Sequence, residues 1–223
     1  MNEVEIKLRK NILAKNEETA ALLRKIFAEH RLLVINMLSS PGSGKTTLLE
    51  KTAHAIAPGI GIAVIVGDLQ TERDAVRIRN AGAPATQINT GRGCHLTAKM
   101  VADALPQVDL DAADVLFIEN VGNLVCPATY DLGEDFTVVL ASVTEGDDKP
   151  AKYPTAMHKA DLIVLNKIDL APYTNFSAER FRLDVQKIKP TLDVLEVSCM
   201  EEVGLKHWFE WLKTKMEQKQ ALH

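Results

Sequence analysis

No stretch of this 223-residue chain approaches the roughly 20 consecutive apolar residues that span a bilayer. The opening MNEVEIKLRKN lacks the apolar core of an export signal, so the expected location is the cytoplasm, away from any membrane. Positive charge is not in excess either. Lys plus Arg number 26 against 30 Asp plus Glu, a formal net charge of −4, which excludes a broad basic face for nonspecific nucleic-acid binding. Cysteine is scarce: 3 residues cannot all pair within one chain. In a reducing compartment such thiols serve as core residues, nucleophiles or metal ligands. Low-complexity linkers and repeats are also absent, so nothing in the composition splits the chain. What remains, 46% hydrophobic and 25% charged residues, is ordinary globular usage in a length suited to one core.

Apolar residues Val4, Ile6, Leu8, Ile12, Leu13, Leu22, Leu23, Ile26 and Phe27, separated by charged stretches, predict one or two amphipathic helices over 3–30, a solvated arm with one buried face. Residues 32–38 form a short apolar run that meets Ser, Pro and Gly at once, a buried strand entering a loop, with a helix from near Gly44. The alternation recurs, with strands near 62–66, 114–118, 136–143 and 161–165 and helices near 71–80, 96–105 and 176–189. A last strand near 194–198 precedes a helix over 203–219, whose Leu205, Trp208, Phe209 and Leu212 sit at core-packing spacing. Such βα repetition predicts a three-layer α/β fold with a mostly parallel central sheet. The simplest partition is an N-terminal helical extension, 1–30, and one domain, 31–223.

Ser39-Ser40-Pro41-Gly42-Ser43-Gly44-Lys45-Thr46 follows a strand and opens a helix, the context of a phosphate-binding loop. Glycines let successive N–H groups face phosphate oxygens, and the helix N-terminus favours the anion. Gly42, Ser43, Gly44, Lys45, Thr46 and Thr47 are therefore candidate nucleotide ligands, with Lys45 neutralising β/γ charge and the Thr46 hydroxyl on Mg²⁺. Ser39 replaces the first glycine of the usual G-x-x-x-x-G-K-[ST] pattern, and Gly42 is the candidate to restore flexibility. Asn166-Lys167-Ile168-Asp169 matches the guanine-reading pattern N-K-x-D. Asp169 can accept from both the ring N–H and the exocyclic amine of guanine, whereas adenine presents the opposite polarity, so GTP and GDP are the expected ligands. Asn166 would brace the base and the stem of Lys167 would cover its plane. Ser198-Cys199 follows the last strand, where a backbone contact to the guanine oxygen is expected.

Two strand-end acids complete the candidate catalytic set with Lys45. Asp68 would hold a Mg²⁺-bound water or activate the attacking one. Glu119, three residues before Gly122 in a variant of D-x-x-G, would orient Mg²⁺ water. Both fall where ligands bind in open α/β sheets, although strand-end acids also cap helices. Cys94, His95 and Cys126 supply two thiolates and an imidazole suited to Ni²⁺ or Zn²⁺, with solvent or a second chain completing the site. On chemistry alone, a buried cysteine and a helix-start histidine account for them equally well.

The strings Gly67-Asp68-Leu69-Gln70-Thr71, Gln87-Ile88-Asn89-Thr90-Gly91, Cys94-His95-Leu96, Glu119-Asn120-Val121-Gly122-Asn123-Leu124-Val125-Cys126-Pro127 and Ser142-Val143-Thr144-Glu145-Gly146-Asp147-Asp148-Lys149-Pro150 closely resemble the HypB family of hydrogenase nickel-incorporation GTPases. The resemblance covers residues 32–205. It implies a P-loop GTPase of the signal-recognition-particle, MinD and BioD class that dimerises with GTP. It further implies a metal site of Cys94, His95 and Cys126 at the dimer interface, and a contact from Lys149 to the partner's nucleotide. The implied partners are a nickel-binding accessory protein and the precursor of a [NiFe]-hydrogenase large subunit. The Cys-rich or His-rich leader of many family members is missing, so nickel storage is not expected. A urease-type GTPase is the nearest rival, but its Cys-Pro-His motif is not met, because Ala128 follows Cys126-Pro127. A noncatalytic GTP-binding switch with structural cysteines is a rival of another class. A small-molecule kinase is disfavoured by Asn166-Lys167-Ile168-Asp169.

Overall fold

The strand Leu33–Ser39 (β1) is buried along its whole length, because its alternate side chains face helices on both sides of a sheet. The computed structural model describes residues 3–221, with side chains from residue 10, so the expected inward set Val4, Ile6 and Leu8 lies outside the described side chains. Before β1 runs α1, Glu3–Glu29. After it follow α2 (Lys45–Ile56), β2 (Ile62–Asp68), α3 (Arg73–Asn80), β3 (Ala85–Asn89), α4 (Ala98–Ala104), β4 (Val115–Glu119) and β5 (Phe136–Ser142). The chain continues through α5 (Lys149–Lys152), α6 (Pro154–Lys159), β6 (Leu162–Asn166), α7 (Ala178–Ile188), β7 (Val194–Glu196) and α8 (Leu205–Gln220).

The sheet order is β3-β2-β4-β1-β5-β6-β7 and every pairing is parallel, beyond the mostly parallel arrangement expected. Strand β3 was not expected. It is a half-buried edge paired only with β2, and Ala-Thr-Gln-Ile-Asn carries no apolar run to announce it. The short helices α5 and α6 were also missed; each carries a proline in its first turn, where the missing N–H costs nothing.

On one face, Leu33, Ile35 and Met37 with Val64, Phe117, Leu140 and Val164 pack against α2, α3 and α8. Trp208 is fully buried there and its indole N–H donates to Thr52 Oγ1 at 2.9 Å, so the α8 aromatic is core as expected. The opposite face is covered in two patches. Phe181, Val185 and Met157 from α7 and α6 cover Val139 and Ile163, while α1 and α4 cover Val34, Ile65 and Ile118. Helix α1 therefore docks by the one buried face expected of it. Its Ala20, Leu23 and Phe27 are buried, and Asn16 both accepts the Ala98 N–H at 2.8 Å and donates to Asp131 O at 2.7 Å. Ile12 and Leu22, counted in the apolar set of that helix, remain exposed. This layering brings the carboxyl ends of β1, β2, β4 and β6 to one edge, where the loops with the candidate residues gather.

Candidate functional site

Between β1 and α2 the loop closes over two left-handed glycines, Gly42 (φ 78°) and Gly44 (φ 103°). Ser39 lies inside β1 and pairs with Leu140, so the position needs no glycine. Its hydroxyl instead accepts from Lys45 Nζ at 2.7 Å, which explains how the departure from the usual pattern is tolerated. A Cβ on Gly44 would collide with Asn166 Nδ2, so the candidate base-reading and phosphate loops touch through a residue that must stay small. Asn166 Nδ2 donates to Ser43 O at 2.9 Å, Lys167 Nζ donates to Gly42 O at 2.7 Å, and Asn166 Oδ1 accepts from the Cys199 N–H at 3.1 Å. The Asn-Lys pair thus ties three loops together.

The cavity above this loop measures about 450 Å³ and is lined by Gly42, Ser43, Gly44, Lys45, Thr46, Thr47, Asp68, Glu119, Gly122 and Lys167 among others. Asp74 and Arg77 of α3 line it too, and neither was singled out from sequence, because a charged pair on a predicted helix reads as a solvated face. Asn166, Asp169, Ser198 and Cys199 lie beyond the lining, around the adjoining loops. Ser198 is buried, and its hydroxyl accepts from the Glu201 N–H at 3.1 Å. Cys199 packs in the core, burial pushes its thiol up to about 11, and its backbone N–H donates to Asn166 Oδ1.

Thr46 Oγ1 donates to Glu119 Oε1 at 2.8 Å, while Glu119 Oε2 is buried with no hydrogen-bond partner. An orphaned carboxylate oxygen beside a threonine hydroxyl fits a hard divalent cation such as Mg²⁺. Burial raises the Glu119 carboxyl to about 7, against the pull of Lys45 and the Thr46 hydrogen bond. Burial likewise lowers Lys45, opposed by Glu119. A carboxyl whose folded pKa lies above its unfolded value contributes stability at low pH that is lost as pH rises through the folded pKa. The nucleotide-free protein should therefore lose on the order of 2–3 kcal/mol between about pH 4.5 and pH 7 through this group. Denaturant titrations across that range should show the loss in the parent and not in Glu119→Gln.

Asp68 also lines the cavity, but its carboxylate is engaged within its own turn, accepting from the Leu69 N–H at 2.6 Å and from Thr71 Oγ1 at 2.6 Å and N–H at 3.2 Å. Burial would raise its pKa, and those hydrogen bonds outweigh it and hold the carboxyl below its usual range. Lys149 stands on its own chain's phosphate loop, donating to Ser40 Oγ at 2.8 Å and lying 3.4 Å from Glu145, and it does not line the cavity.

The second cluster is Cys94, His95 and Cys126, whose ligand atoms all lie within 4.8 Å of one another. Sequence spacing could not show that these residues meet. Cys94 Sγ is 3.6 Å from His95 Nδ1, and the His95 ring lies on Tyr130 with centroids 3.9 Å apart. A hydrogen bond with Cys126, and then burial, raises the Cys94 thiol, while burial lowers His95. Neutral imidazole and a thiol pair sharing one proton bond are a soft-to-borderline donor set that suits Ni²⁺ or Zn²⁺ and leaves coordination positions open. Asn123 Nδ2 donates to Cys94 O at 3.3 Å and Asn120 Oδ1 accepts from the Leu96 N–H at 3.1 Å. These two asparagines, seen from sequence only as family-like letters, clip the Cys94-His95 segment to the strand end that carries Glu119.

Residues 33–196 match the family described as CobW/HypB/UreG, nucleotide-binding domain. Hydrogenase maturation factor HypB of Escherichia coli K12 is 49% identical over 215 residues, 96% of this chain and 73% of that protein. Hydrogenase/urease maturation factor HypB of Helicobacter pylori is 40% identical over 228 residues, covering all of this chain and 93% of its own length. A crystal structure of HypB from Helicobacter pylori in complex with nickel superposes with a TM-score of 0.88 at 41% identity, over 92% of this chain and 96% of that one.

Proposed function

The chain belongs to the CobW/HypB/UreG nucleotide-binding family, and from that premise we propose that it is a Mg²⁺-dependent GTPase that couples GTP binding and hydrolysis to nickel delivery during maturation of a [NiFe]-hydrogenase. The observation that carries it is one short segment, 119–126, which begins at a carboxylate in the nucleotide cavity and ends at a thiol of the metal cluster. Any shift of Glu119 is transmitted along this segment, and through Asn120 and Asn123, to the ligands.

In this scheme Asp169 reads guanine, Lys45 and the loop N–H groups neutralise the phosphates, and Thr46 with Glu119 would hold Mg²⁺, which would supply further neutralisation of phosphate charge. Asp68 orients the attacking water once its turn opens. Lys149 leaves its own Ser40 for the partner's nucleotide when GTP joins two subunits, and the partner's matching ligands or solvent complete the metal coordination. Division into an extension, 1–30, and a nucleotide domain, 31–223, belongs to the same proposal, with α1 as the docked cover. Among the described residues no helix is long and apolar enough to cross a membrane, and action in the cytoplasm on a nickel-binding accessory protein and a hydrogenase precursor fits that. The Helicobacter pylori relative is named for urease as well as hydrogenase, which keeps a urease-type target as the second reading.

Coupling requires a nucleotide that changes metal affinity, since a ligand indifferent to two states shifts neither. Nickel affinity measured with GDP and with a nonhydrolysable GTP analogue should differ by about 5-fold or more. Equal affinities would sink the delivery cycle while leaving the GTPase intact.

A further inference from the structure

Besides Lys45 and Lys167, a third cation lines the cavity, Arg77 of α3. Its guanidinium is held in one plane. Nε and Nη2 donate to the two oxygens of Glu50 at 2.9 and 2.6 Å, and Nη1 reaches Asp74 Oδ1 at 3.4 Å. A forked arrangement of this kind fixes direction as well as charge. From that pose Nη2 also donates to Thr47 Oγ1 at 3.1 Å. Thr47 stands on the first turn of α2, directly after Thr46, and lines the same cavity.

A hydroxyl has one proton to give and two lone pairs to offer. With the guanidinium on one lone pair, the Thr47 proton is turned away from Arg77, and Thr47 itself lines the cavity. A guanidinium already flanked by two carboxylates brings little net charge to an anion, so its effect runs through geometry and not through long-range attraction. Lys45 serves the β/γ end and Thr46 the cation, which leaves Thr47 to the part of the phosphate chain nearer the nucleoside.

We propose that Arg77 is a positioning residue for nucleotide binding: it occupies the acceptor side of Thr47 and so aims that hydroxyl proton at the phosphates GDP and GTP have in common. This rests on the guanine-nucleotide site argued above.

The test is calorimetric titration of GDP and of a nonhydrolysable GTP analogue into the parent, Arg77→Gln, Thr47→Val and the double variant, with melting temperatures of the nucleotide-free proteins. Each single variant should weaken both nucleotides about tenfold, the loss of one hydrogen bond to a charged group. The double variant should be within about threefold of either single one, because both remove the same interaction. In turnover assays the change in Arg77→Gln should sit in KM more than in kcat. Additive losses of about a hundredfold, a loss confined to the GTP analogue, or parent-like affinity in Arg77→Gln would each overturn the proposal. So would weakening that follows a lowered melting temperature, the mark of a brace between α2 and α3. If the parent binds neither nucleotide, the guanine-nucleotide site itself is wrong, an outcome distinct from all of these.

Discussion

Lys45→Ala lowers GTP turnover by about a thousandfold or more, with phosphate release near the level of the buffer. Lys45 is almost wholly buried beneath the phosphate loop, with its ammonium on Ser39 Oγ at 2.7 Å. A preorganised donor facing developing charge is worth about 10²–10³ in rate when removed, and a full cation in a dry site is worth more. A second loss follows from the same substitution. The attraction of Lys45 restrains the upward shift of the Glu119 carboxyl, which already sits at about 7. Without the cation, burial pushes that carboxyl further up, so Mg²⁺ has to displace a more tightly held proton to reach Glu119. The expected signature is therefore a loss of turnover together with a higher Mg²⁺ requirement, measured by phosphate release against Mg²⁺ concentration. Turnover within tenfold of the parent would mean that the cavity is not where the chemistry occurs. The nucleotide-free variant should fold, because the lysine it removes is one whose charged form burial already disfavours.

The nucleotide half of the site was legible because its chemistry forces local sequence. A loop that curls N–H groups around phosphate needs left-handed positions, and Gly42 and Gly44 supply them next to Lys45. The residues proposed to read the base, Asn166, Lys167 and Asp169, likewise fall within four positions at the end of a buried strand. The central strands were legible for a similar reason, as burial on two faces leaves apolar runs. Where burial is partial that signal fades, which is why β3, with only Ala85 and Ile88 apolar in its five residues, went unseen. Contacts between elements distant in sequence left no trace in the spacing, and only the family resemblance brought Cys94, His95 and Cys126 together. Nothing in the spacing places Cys126 beside Cys94, sets Tyr130 against His95, or turns Arg77 from a surface charge into a cavity residue. Helix α1 shows the same limit: its periodicity announces one buried face carrying Leu23 and Phe27, and only the fold reveals that this face covers the sheet beside α4.

Replacing either thiol of the metal cluster, Cys94→Ala or Cys126→Ala, is expected to weaken nickel and zinc binding by about a thousandfold or more. Loss of a partner behind a ligand already costs about 10–100-fold, and loss of the ligand itself removes a bond from a set of only three. Each thiol releases its proton to the buffer when it binds the ion, and Cys94 holds its proton more tightly than usual through its bond to Cys126 and its burial. Affinity should therefore rise with pH toward the thiol range, and the rise should be shallower in either variant, which has one proton fewer to release. Tyr130→Ala tests the surroundings and not the bonds. It removes the ring against His95 and should cost about tenfold, with no change in the number of protons released. Competition with a chromophoric chelator, on parent and variants in two buffers of different ionisation enthalpy, measures affinity and proton release together. Binding at one ion per two chains places the metal between subunits, since three donors from one chain leave open positions that a second chain can fill. Retention of tight binding after loss of both thiols would move the metal elsewhere and break the link that residues 119–126 make between the nucleotide and the ion.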